Sequence, residues 1–111
     1  MESNHLITIA MEIILNAGDA RTCVKEALDA TTCDNNELAE QKMREAKRFL
    51  EKAHLEQTET IQKEAKGETC EYSMLFTHAQ DTLMTIYSEF HLAEKLILMY
   101  QTLVNKIENT R

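Results

Sequence analysis

Apolar residues recur along this chain at alternating intervals of four and three. One series runs Leu6, Ala10, Ile13, Ala17, Ala20, Val24 and Ala27. A second runs Ala39, Met43, Ala46, Leu50, Ala53, Gln57 and Thr60, turning polar at its end. Such spacing lays one stripe along one side of an α-helix and makes the seam of a left-handed bundle. Between the two series, Thr31-Thr32-Cys33-Asp34-Asn35-Asn36 gathers residues that favour caps and turns over helix interiors. Further on, Gly67 follows Lys63 and Lys66, the usual composition of a helix C-terminus. The pattern predicts helices over about 4–31, 36–67 and 72–109. Ser3 or Asn4, Asp34 or Asn36, and Thr69 or Ser73 are the candidate N-caps. These are rods of roughly 40, 50 and 55 Å, long enough to point to coiled-coil packing. No internal repeat, low-complexity segment or linker appears, so residues 1–111 read as a single domain. Gly18 falls inside the first helix, where it marks a bend, a close helix contact or a plain surface position.

The third helix carries two stripes. One is Leu75, Ala79, Thr82, Ile86, Phe90, Ala93, Ile97, Tyr100, Val104 and Ile107. The other, displaced by about 100°, is Met74, His78, Asp81, Thr85, Ser88, Leu92, Leu96, Met99 and Leu103. A three-helix monomer needs one buried face per helix. A second stripe, on a chain whose own core is thin, predicts burial against other copies of itself.

Composition agrees with long rods. There is no proline, there are two glycines, and aromatic residues make up 5% of the chain. Two glycines cannot supply the turns of a β-sandwich, and 43% hydrophobic residues exceed what a disordered chain carries. Twelve Lys and Arg against 19 Asp and Glu give a net charge of −7. The densest basic segment, Lys42, Arg44, Lys47, Arg48 and Lys52, is interleaved with Glu40, Glu45, Glu51 and Glu56. It is a solvated helix face and not a phosphate track, so no nucleic-acid partner is expected. No apolar run is long enough to cross a membrane, and Met1 to Asn16 lacks the features of a signal peptide. A cytoplasmic location follows as the expectation. Cys23, Cys33 and Cys70 form no metal-binding or redox spacing and are expected as reduced thiols.

Four histidines could carry chemistry. His5 reads as a solvated terminal residue and His91, between Phe90 and Leu92, as a packing or surface residue. His54 stands in the polar end of the second helix, near Gln57 and Thr58, where it could serve a hydrogen-bond network between helices. His78 stands three residues before Asp81 on one face, inside the stripe that calls for partner copies. A carboxylate in an apolar seam is costly unless it is paired or binds a cation. Several Asp81 side chains meeting on an axis would repel one another unless a metal neutralised them, and Mg²⁺-like ions take oxygen ligands. A neutral imidazole beside them is a nucleophile. Taken by themselves, the residues favour a plainer reading, a polar layer that sets the register of a coiled coil. No HExxH or clustered His/Cys set points to a zinc hydrolase.

The stretch Thr77-His78-Ala79-Gln80-Asp81-Thr82-Leu83-Met84-Thr85 resembles the signature of the lactose/cellobiose-type enzyme IIA proteins of the bacterial phosphoenolpyruvate-dependent sugar phosphotransferase system. Asn16-Ala17-Gly18-Asp19-Ala20-Arg21 is similar to the family's helix 1 motif. Ala53-His54 with Gln57-Thr58 is similar to its helix 2 motif, and the Gly67-Glu68 turn also fits. The resemblance spans about residues 5–108. It implies an all-α fold, an antiparallel three-helix bundle that assembles as a homotrimer of nine helices. It implies a phosphocarrier, a phosphotransferase component whose matching histidine, His78, accepts a phosphoryl group from phospho-HPr. The group then passes to a cysteine of the IIB component, and the membrane component IIC couples sugar entry to phosphorylation. It also implies one Mg²⁺ on the trimer axis, bound by Asp81 of each chain. The motif is closer to cellobiose/chitobiose-type members than to lactose-type ones, so a disaccharide such as cellobiose is the expected cargo.

One departure stands out. The family signature carries a second histidine four residues after the first, and Thr82 occupies that place. A threonine hydroxyl could replace part of its role. Gln80, Thr82 and His54 are the candidate orienting or phosphate-contacting side chains. Two other classes fit the helices alone: a two-component histidine phosphotransfer domain and a structural coiled-coil adaptor. The first usually shows His-x-Leu-Lys-Gly, whereas His78 is followed by Ala-Gln-Asp.

Overall fold

The computed structural model describes residues 4–67 and 73–110. Ser3, Thr69, Cys70 and the Glu68 half of the turn lie outside them. Three helices make up the fold: α1 (Asn4–Thr32), α2 (Asn36–Ala65) and α3 (Met74–Asn109). α2 runs antiparallel to its neighbours, as cross-helix contacts show: Lys42 meets Glu26 near one end, and Gln57 meets Gln80 near the other. Consequently α1 and α3 run parallel, joined by Arg21–Glu89 and by Asp34–Tyr100.

The seams of α1 and α2 are where the spacing puts them. Leu6, Ala10, Ile13, Ala17, Ala20, Val24 and Ala27 are all buried, as are Ala39, Ala46, Leu50, Ala53, Gln57 and Thr60, with Met43 half-buried. On α3 the packed stripe lies one position away from the expected one in its first half. Phe76 and Leu83 are buried, whereas Leu75 and Thr82 are half-buried; Ala79, Ile86, Phe90 and Ala93 are buried as expected. The buried series 76, 79, 83, 86, 90, 93 keeps the larger side chain at each disputed turn, which removes more apolar surface from water. Past Ala93 the stripe fades: Ile97, Tyr100 and Val104 are half-buried and Ile107 is exposed. The cause is length. Tyr100 and Gln101 already bond Asp34 and Asn36 at the α1–α2 turn. The remaining eight residues of α3 extend about 12 Å beyond that turn.

The α1–α2 turn closes with hydrogen bonds from Asn35 N–H to the Ala30 carbonyl (2.9 Å) and from Asp34 N–H to the Thr31 carbonyl (3.0 Å). That is the Schellman arrangement, and Asp34 takes its left-handed position at φ 60°. With Asp34 ending α1, the cap of α2 is Asn35, not Asp34 or Asn36; its side chain accepts from Leu38 N–H at 3.2 Å. α2 stops at Ala65, two residues before the expected end. Gly67 then turns the chain at φ 84°, a region open to glycine at little cost. Of the two candidates, Ser73 caps α3, accepting from Phe76 N–H at 3.0 Å. Gly18 is a surface position: no heavy atom comes within 4 Å of where its Cβ would be, so no helix of this chain approaches it.

Candidate functional site

α3 starts at Met74, so His78 opens its second turn. The Ser73 side chain holds the Phe76 N–H, and the Ser73 carbonyl accepts from both the N–H and the hydroxyl of Thr77, each at 3.0 Å. This anchors the turn from which His78 projects. His78 is exposed, and neither it nor Asp81 makes a side-chain hydrogen bond or ion pair among the described residues. His78 lies one turn inside the helix N-terminus, where the partial positive charge has largely faded and favours added negative charge only weakly.

The whole second stripe of α3 is bare. Met74 is 72% exposed, Leu92 61%, Met99 65% and Leu103 58%, and His78, Asp81, Thr85 and Ser88 are exposed between them. Asp81, Met84, Thr85, Ser88, Glu89 and Leu92 line an open depression along this face. Within one chain Asp81 has no fellow ligand: among the described residues, no group of three or more His, Cys, Asp or Glu side chains could hold a metal ion.

The three candidate partners of His78 separate. Thr82 follows one turn later and shares its face. Gln80 does not, because two residues along an α-helix subtend about 200°. It faces α2, where its Oε1 accepts from the Gln57 amide at 3.2 Å. His54 is placed against α3 as well, but edge-on to the Tyr87 ring at 5.9 Å. Tyr87 lies nine residues beyond His78, about 13 Å along the helix. The fold thus brings His54 to Tyr87, and Tyr87 in turn stacks on His91 at 5.7 Å. His91 also contacts Glu94, Nδ1 to Oε1 at 3.0 Å, on the surface.

Two links escaped the reading of the sequence. Arg21, the last residue of the helix 1 motif, forms a two-pronged bridge to Glu89: Nε to Oε1 at 2.9 Å and Nη2 to Oε2 at 2.8 Å. Glu89 lies three turns from His78 on the same side of α3. The i,i+11 spacing to His78 was the available signal, but nothing in α1 announced Arg21 as its partner. Gln57 was visible as a polar member of the α2 seam and of the helix 2 motif, but not as the partner of Gln80. Cys23 is buried and Cys33 exposed, and both are free; Cys70 lies outside the described residues. Burial pushes the Cys23 thiol up, and its Sγ donates to Glu45 Oε2 at 3.7 Å.

Comparison with known proteins is consistent with this arrangement. Residues 8–101 match the family model described as the PTS system lactose/cellobiose-specific IIA subunit. The lichenan-specific phosphotransferase enzyme IIA component of Bacillus subtilis is 38% identical over 98 residues, 88% of this chain and 89% of that protein. The crystal structure of the cellobiose-specific enzyme IIA from Bacillus anthracis superposes with a TM-score of 0.87 at 39% identity, covering 96% of each chain. The chitobiose IIA of Escherichia coli, solved in complex with HPr, superposes at 0.79 with 30% identity, covering 91% of this chain and 98% of that one. With 94 of 111 residues inside the family model and three long helices superposing on its solved members, the chain belongs to the lactose/cellobiose-specific IIA family of the sugar phosphotransferase system.

Proposed function

We propose that this chain is the phosphocarrier of its system, with His78 as the residue that is phosphorylated. The observation that carries the reading is the placement of His78. It is an exposed imidazole with no side-chain partner among the described residues, on a capped helix turn, next to a face that none of the described residues covers. A ring nitrogen of His78 attacks the phosphorus of phospho-HPr. The new P–N bond forms as the donor's bond to phosphorus breaks. A IIB cysteine thiolate then attacks the same phosphorus and the P–N bond to His78 breaks. Phosphoryl transfer asks mainly for positioning and charge neutralisation. Thr82, on the same face one turn on, is the side chain suited to donate to a phosphate oxygen. The solved HPr complex of the chitobiose relative supports HPr as donor, and a negatively charged chain suits a basic partner surface. The cargo is a β-linked disaccharide of the cellobiose/chitobiose class.

The bare stripe of α3 fits a homotrimer about an axis that brings three copies of α3 together. Mg²⁺ fits the donor set of such an axis. Asp81 offers a hard oxygen ligand on the exposed stripe and is engaged by none of the described residues, so carboxylates from several copies would hold the ion. When bound, the ion neutralises like charges that would otherwise repel at the seam.

The test is phosphorylation by phosphoenolpyruvate, enzyme I and HPr, followed as acid-labile label. Wild type should take one phosphoryl group per chain and His78→Gln none; undiminished labelling of His78→Gln removes the assignment. Asp81→Leu should abolish Mg²⁺ binding in equilibrium dialysis while the assembly persists.

A further inference from the structure

Gln57 sits in the packed seam of α2, only 7% exposed, among residues that are otherwise small or apolar. Its amide donates to Gln80 Oε1 at 3.2 Å, joining α2 to the turn of α3 that carries His78. Among the described residues, one other side-chain hydrogen bond joins these helices, Gln101 to Asn36 at 3.3 Å, and it lies at the far end of α3. Near His78 the buried side chains of α2 are Ala53, Gln57 and Thr60, and α3 contributes Ala79 beside Phe76. Phe76 and Leu83 anchor α3 in the core on either side of this turn, but toward α2 the facing side chains are small and interlock weakly, so apolar packing on that side limits the rotation of α3 only loosely. A buried polar contact with narrow distance limits does define it, as a single polar layer defines register in a coiled coil.

The consequence reaches His78 by geometry. Gln80 and His78 project from nearly opposite sides of α3, so a rotation that pulls Gln80 off Gln57 swings His78 the other way. A ring about 6 Å from the helix axis moves about 1 Å for every 10° of rotation. A misplacement of that size can cost on the order of 100-fold in a reaction that depends on alignment.

We infer that Gln57 is a positioning residue for His78, acting through Gln80 to fix the rotation of α3 at the phosphorylation turn. Gln57 itself touches neither the imidazole nor the transferred group. The inference rests on the phosphocarrier reading for its kinetic consequence and on the Gln57–Gln80 contact for its structural one.

The experiment uses the full chain with Gln57→Leu, which keeps the volume and removes the donor. Thr60→Val serves as a control, because among the described residues the Thr60 hydroxyl bonds only the Glu56 carbonyl of its own helix. Two quantities are measured: the single-turnover rate of phosphorylation by phospho-HPr and the ¹⁵N shifts of the His78 ring. Gln57→Leu should slow transfer about tenfold and shift the His78 resonances, while Thr60→Val retains both wild-type values. Gln80→Leu should match Gln57→Leu, and the double variant should be no slower than either single one. A wild-type rate with unshifted resonances in Gln57→Leu overturns the inference, as does equal slowing by Thr60→Val. If wild type itself takes no label, the phosphocarrier reading falls, and the His78 resonances still decide the positional link.

Discussion

Asp34 holds φ at 60° because the Schellman closure of α1 needs a left-handed residue there, and the chain supplies aspartate where glycine is usual. Its carboxylate recovers something from the position: Oδ1 accepts from the Tyr100 hydroxyl at 3.1 Å, which holds the phenol above its usual range. Asp34→Ala should therefore destabilise by about 1–2 kcal/mol, since alanine tolerates the left-handed region poorly and cannot reach Tyr100. Asp34→Asn should melt within a few degrees of wild type. Equal melting of all three in thermal denaturation would contradict the account. Glu56 is the second residue with an unusual setting. Burial at the α1–α2 seam, then a hydrogen bond with Glu12, push its carboxyl from 4.5 to about 7, helped by Glu59 and opposed by Lys52. The folded value lies above the unfolded one, so the protonated form favours the fold. That contribution is complete below about pH 4.5 and disappears as pH rises through about 7. Denaturation midpoints of wild type should fall between pH 5 and 8 more steeply than those of Glu56→Gln, and parallel curves would refute it.

α3 is the element on which structure and function meet, and its two faces obey different rules. Leu83 is fully buried at the centre of the packed stripe, so Leu83→Ala should cost about 2–5 kcal/mol in chemical denaturation and disturb His78 only by loosening the bundle. The bare face is built from similar side chains, yet truncation there costs a single chain little, because the residues are already in water. The Arg21–Glu89 bridge ties α1 to α3 at the border of the two faces. Both partners are more than 40% exposed, so the bridge contributes up to about 1 kcal/mol despite its two-pronged geometry.

The molecule as a whole is a rod of 65 × 20 × 18 Å with a radius of gyration of 17.9 Å. A compact domain of this length would have a radius near 13 Å. A rod so thin buries little core for its surface, and along one side it exposes Met74, Leu92, Leu96, Met99 and Leu103 on a single stripe. Large exposed apolar surface of this kind marks an interaction site, and copies of the same chain supply a matching stripe. Sedimentation equilibrium should give wild type the mass of three chains, and Leu96→Glu with Leu103→Glu the mass of one with its helicity intact. A wild-type mass of one chain at every concentration would overturn the trimer.

Periodicity alone determined the three helices, the stripes of α1 and α2 and the second stripe of α3, because each depends only on which residues recur at helical intervals. Gly67 and Ser73 were legible for the same local reason: a left-handed stop and a hydroxyl cap act on their own few residues. The half-stripe error on α3 had a different origin. Phe76 and Leu75, or Leu83 and Thr82, lie 100° apart, and only the direction from which α1 and α2 approach selects between them. The same holds at the site. His78 and Asp81 could be placed on one face by counting, with Thr82 on the neighbouring stripe, but the turning of Gln80 to Gln57 and of His54 to Tyr87 required knowing where α2 lies. Side-chain spacing along one helix is a property of the chain; which neighbour each side chain meets is decided only when the helices pack.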